Sequence, residues 1–115
     1  MRRDQQYTTR EKASVYDTVM PLLDSMYLEF KELSKKKPDA AVSKSKISIA
    51  NRLLLKVREV LDGEASVDFL DLLDEDDVPQ SSDLTLILSQ YVAAMKGFKE
   101  KFYGWDGSNH VWFTE

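Results

Sequence analysis

The chain contains no cysteine, one histidine, four glycines and three prolines in 115 residues. Without cysteine there is no disulfide framework, no thiolate zinc site and no cysteine nucleophile. The lone imidazole is His110, in a tail where Ser108 and Asn109 are turn formers, so a serine nucleophile has no well-placed base. A glycine-rich phosphate loop and a His/Glu metal helix are also missing. No run approaches the roughly 18 apolar residues that cross a bilayer. The charged N-terminal stretch MRRDQQYTTREK is not followed by an apolar segment. The expectation is a non-enzymatic cytoplasmic protein, without cofactor and without membrane attachment.

Basic residues are missing from one long stretch. Between Asp62 and Met95 there are nine acids and no Lys or Arg. Residues 1–61 carry 13 Lys and Arg against 8 Asp and Glu, whereas residues 62–115 carry 3 against 12. A half of net charge +5 is thus joined to a half of −9, within an overall −4. Opposite poles on a small molecule can steer a charged partner or bring two copies together antiparallel, acting on encounter and register more than on affinity.

What the chain does contain is 43% hydrophobic residues, much of it at helical spacing. The length suits one domain covering residues 1–115. Thr8 and Glu11 stand three apart, as a capping box requires. From there Val15, Val19, Leu22, Met26, Phe30 and Leu33 form a stripe at steps of three and four. Pro21 inside that stripe is expected to kink the helix, and Lys35, Lys36, Lys37 and Pro38 to end it. A second helix carries Ile47, Ala50, Leu54, Val57 and Leu61, with Asn51 as a flanking polar residue and Gly63 as C-cap. Ser66 is expected to cap a short helix over SVDFLDLLDEDD that Pro79 stops. Ser82 and Asp83 then open a long final helix with Leu84, Ile87, Leu88, Tyr91, Met95, Phe98 and Phe102 on one side, closed by Gly104. The fold class that follows is all-α: a small up-down bundle of three long helices and one short one.

Three sets of residues are candidate sites. The acidic run Asp68, Asp71, Asp74, Glu75, Asp76 and Asp77 has oxygen ligands in number, yet Leu72, Leu73 and Val78 interrupt it and no glycine provides the turn of a calcium loop. No metal is therefore expected there. A partner-facing surface fits better, formed by Asp71, Asp74, Glu75, Asp76 and Asp77 together with the basic Lys35, Lys36 and Lys37 and the aromatic rim. Lys44, Lys46, Arg52 and Arg58 extend the basic strip across two helices, and such a strip neutralises phosphates. A nucleic-acid-binding module is the alternative, opposed by a sequence pI near 5.0.

The third set is the tail FYGWDGSNHVWFTE. Asp106-Gly107 and Ser108-Asn109 mark a reversal, and His110 to Phe113 is an extended apolar run. The tail is expected to fold back, so that Trp105 and Trp112 either fasten the end of the chain to the bundle or grip a partner. Taken together, the residues favour a protein that works by protein contact, as a homodimer or as an accessory subunit, with affinity from apolar anchors.

Overall fold

A computed structural model describes residues 5–115. Three α-helices make up most of it: α1 (Arg10–Lys36), α2 (Lys44–Val60) and α3 (Ser81–Phe102). A short antiparallel pair follows, β1 (Tyr103–Trp105) and β2 (His110–Trp112). The all-α class stands, with this pair as its only strands among the described residues.

Helix α1 starts one residue later than the expected cap. Thr9 is the N-cap, its hydroxyl accepting from the Lys12 N–H at 3.1 Å. Thr8 is instead buried and engaged elsewhere. The helix runs unbroken through Pro21 to Lys36. Pro21 is exposed, so the Asp17 carbonyl that it leaves unbonded lies on the side water reaches. At the far end the Lys37 N–H returns to the Leu33 carbonyl at 2.7 Å and Pro38 follows. The buried face of α1 is Ala13, Tyr16, Val19, Leu23 and Phe30. This is turned from the expected stripe: Leu23 is fully buried while Leu22 is 56% exposed.

Ser43 caps α2, accepting from the Lys46 N–H at 3.3 Å. Ile47, Ala50, Leu54, Val57 and Val60 are buried along one side, close to expectation. Leu61 is the C-cap, and Gly63 takes a left-handed φ of +87° two residues beyond it, where a side chain would be strained. In α3 the expected stripe holds, with Leu84, Leu88, Tyr91, Met95, Phe98 and Phe102 buried. Its start lies a little earlier than expected. The Gln80 N–H donates to the Asp83 carboxylate at 3.0 Å, and fully buried Ser81 donates to the Lys37 carbonyl at 2.6 Å.

The connections set the directions of the helices. Lys12 near the start of α1 reaches the Asp62 carbonyl after α2 at 2.7 Å, so α1 and α2 are antiparallel, as an up-down pair requires. Ser81 at the start of α3 sits on Lys37 at the end of α1, so α3 also runs against α1. Helices α2 and α3 therefore run the same way. Residues 61–80 must climb back along the bundle between them.

That climb is not the short helix expected over Ser66–Asp77. Only Ala65–Phe69 forms a turn of 3-10 helix, with Glu64 rather than Ser66 at its cap position, and the chain then continues without helix. Clustered aspartates have poor helix propensity, repel one another, and compete for backbone groups. The Asp74 carboxylate, for instance, accepts from the Asp76 N–H at 2.9 Å. Of the apolar residues here, Leu70 and Leu73 are buried, Val67 partly so, and Phe69 is 78% exposed.

The tail folds back as expected. Helix α3 ends at Phe102, and Gly104 lies in β1 opposite Val111, not in a helix cap. A Cβ on Gly104 would come within 3.4 Å of the Phe113 ring. The Asp106 carboxylate holds the turn, accepting from the N–H groups of Ser108 and Asn109 at 2.8 Å each, and these bonds depress its pKa. Beyond β2 the chain meets the segment before α1. The Thr8 N–H donates to the Phe113 carbonyl and the Glu115 N–H to the Thr8 carbonyl, both at 3.0 Å. One apolar cluster joins all three helices, Leu70, Leu73 and, at its edge, Trp112.

Candidate functional site

The acidic segment from Leu70 to Asp77 is held by its backbone. Asn51 of α2 clasps Leu73 from both sides: its amide nitrogen donates to the Leu73 carbonyl at 2.7 Å and its amide oxygen accepts from the Leu73 N–H at 2.9 Å. Arg58, two turns along α2, donates to the Leu70 carbonyl at 2.7 Å. Tyr91 of α3 donates to the Asp71 carbonyl at 2.9 Å. The segment is thus a strap pinned to α2 and α3, replacing helical hydrogen bonds with side-chain ones. Tyr91 is fully buried, and burial raises the pKa of its hydroxyl against a smaller opposing pull from Arg58.

Pinning the backbone leaves the acids outside. Asp71, Asp74, Glu75, Asp76 and Asp77 are all exposed, as are Leu72 at 42% and Val78 at 53%. Only Asp76 has an ion pair among the described residues, with Lys44 at 3.8 Å, and both side chains there are largely in water. Val78 has a φ of +30°, rare for a β-branched residue, where the chain turns into Pro79. No group of three or more His, Asp or Glu is placed to hold a metal ion among the described residues.

The basic candidates are dispersed differently. Lys35, Lys36 and Lys37 are exposed in the last turn and cap of α1, Lys35 pairing with Glu32 at 3.3 Å. They share their end of the bundle with the strap. The Val42 N–H donates to the Pro79 carbonyl at 3.0 Å, and Ala41 bridges Gln80. The charge blocks are therefore not at opposite ends of the molecule. Lys44, Lys46 and Arg52 are exposed on α2, whereas Arg58 is partly buried with its guanidinium committed to Leu70. Four residues that form one strip in sequence are thus split between solvent and strap.

The two tryptophans divide the readings of the tail between them. Trp112 packs edge-on against Tyr16 at 4.9 Å and Tyr103 at 5.2 Å between ring centroids, and its indole N–H lies 3.3 Å from both Asp17 carboxylate oxygens. It fastens the tail to α1 and α3. Trp105 is 59% exposed, its ring in a tilted contact with that of His110 at 5.2 Å between centroids.

Asn51 is where the sequence reading fell short. It is the clamp of the strap rather than a flanking polar residue, and its place beside the apolar stripe was the available signal. Phe69 and Leu72, spaced among aspartates like core anchors, are exposed. Comparison with protein-family models, curated proteins and solved structures gives no match, so the geometry alone carries the functional reading.

Proposed function

We propose that this is a non-enzymatic, cytoplasmic protein-interaction module, acting as an accessory or self-associating helical protein, whose strap is the surface offered to a basic protein segment. The observation that carries this is the division of labour in the strap. Its backbone is immobilised by Asn51, Arg58 and Tyr91, while its carboxylates, Leu72 and neighbouring Phe69 face water. A pre-ordered segment avoids the entropy cost of ordering on binding. The acids give encounter and register, and Phe69 and Leu72 supply apolar anchors. A nucleic-acid interface gains less support, since Arg58 is committed to the strap and Lys44 faces Asp76.

The test is site-specific photo-crosslinking in cells. A photoreactive residue replacing Phe69 or Leu72 is expected to give a discrete adduct with a Lys/Arg-rich protein segment. The adduct should disappear when Asp71, Asp74, Glu75 and Asp77 are changed to amides with helicity unaltered. Adducts no different from those of a probe at exposed Ala93 on α3 reject the reading.

A further inference from the structure

A second surface lies on the other flank of α2. Between α1 and α2 there is an open groove of about 550 Å³. Its apolar walls are Leu22, Met26 and Leu33 from α1 and Ile49 and Leu53 from α2. Leu22 and Ile49 are 56% and 50% exposed. The stripe readable in α1 thus has two uses. Val19 and Phe30 enter the core, while Leu22, Met26 and Leu33 border the groove, with Met26 and Leu33 only partly covered. Glu29 on α1 and Lys46 on α2 flank the same groove, and neither has an ion pair among the described residues.

We propose that the α1/α2 groove is a homodimer interface in which α1 of each copy packs antiparallel against α2 of the other, about a two-fold axis parallel to the helices. The charges select this arrangement. Of the charged residues on the two helices, Glu29 of α1 and Lys46 of α2 line the groove, whereas Asp17 is turned to Trp112 and Arg58 to the strap. A two-fold axis perpendicular to the helices sets α1 on α1 and α2 on α2, placing acid against acid and base against base. The parallel axis sets α1 on α2 and brings Glu29 of each copy toward the other copy's Lys46. Rotation about that axis keeps heights along the bundle unchanged, so the apolar walls meet level with one another and the four helices all have antiparallel neighbours.

The area is sufficient but not large. A face two helices wide and as long as α2, about 25 Å, covers roughly 500 Å² per copy, which places the dimer near the lower bound of specific interfaces. The strap is bound by Asn51 and Arg58 on the opposite side of the α2 core stripe, so each copy keeps its strap free. The dimer would display two straps, and the inference does not depend on what the straps bind.

Sedimentation of the full chain from micromolar to millimolar concentration tests this. A reversible monomer–dimer equilibrium is expected. Leu22→Asp or Ile49→Asp, at exposed positions, should weaken it at least tenfold without loss of helicity. Glu29→Lys and Lys46→Glu should each weaken dimerisation several-fold, and the double swap should restore it. A chain monomeric throughout, or association indifferent to Leu22→Asp and Ile49→Asp, overturns the interface. Single charge changes without effect overturn the crossed geometry, because like-on-like pairing leaves the charge products unchanged. Amide substitution of the strap acids should leave the equilibrium in place, which separates this result from the crosslinking one.

Discussion

At the scale of single residues, the strap depends on a few polar side chains at the border of the core. Asn51, Arg58 and Tyr91 satisfy backbone groups that lack helical partners, and removing one strands a partly buried donor or acceptor. Tyr91 gives the clearest readout because its hydroxyl titrates. Its pKa is raised above 10.0 mainly by burial, as is that of Tyr16, where Asp24 and Asp17 add to the effect. The folded protein therefore keeps these protons to higher pH than the unfolded chain. Their contribution to stability is complete below pH 10 and is lost as pH rises through the folded values. Tyr91→Phe should cost about 1 kcal/mol at neutral pH through the lost bond to Asp71, and should flatten the alkaline decline. Urea midpoints between pH 7 and pH 11 measure both. An unchanged alkaline slope would show that Tyr91 is not a source of the decline.

At the scale of elements, legibility follows how far each one is governed by its own periodicity. Helix α3 could be read nearly whole because its burial obeys one face from Leu84 to Phe102. Helix α1 borders two surfaces, so its apolar residues spread over an arc wider than one stripe, and Leu22 was assigned to a core that takes Leu23. The strap could not be read as a strap. Leu70 and Leu73 keep helical spacing, and the partners that make an extended path affordable sit on α2 and α3, 20 or more residues away in the case of Asn51 and Tyr91. Gly97 shows a purely local effect inside α3. It is exposed, and a Cβ there would meet nothing within 4 Å, so no neighbour requires the glycine. Gly97→Ala should therefore stabilise the fold by about 0.5–1 kcal/mol, from helix propensity and a less flexible unfolded chain. Thermal unfolding is expected to shift upward by about 2–4 °C. A downward shift would mean that α3 needs a close approach at this point.

At the scale of the whole molecule, the shape is a rod of 49 × 24 × 20 Å with a radius of gyration of 15.9 Å, against about 13 Å for a compact chain of this length. The charge split was plain in the composition, but its placement was not. Because residues 61–80 climb back beside α2, the acidic block returns to the end that holds Lys35, Lys36 and Lys37 instead of forming a pole of its own. This matters for the response to salt. The four ion pairs among the described residues are mostly in water and contribute little, whereas the five strap acids are crowded within seven residues. Repulsion within the strap should outweigh the pairs. Raising NaCl from about 0.02 to 0.5 M shortens the screening length to a few Å and should increase stability by about 0.5 kcal/mol. The measurement is a urea midpoint at each salt concentration, with protein dilute enough that self-association does not contribute. Glu75→Gln with Asp77→Asn should reduce the gain, since two of the repelling charges are then absent. A parent protein that loses stability with salt would instead show that attraction between the strap and the Lys35–Lys44 region dominates, and that the acids help to hold the strap in place.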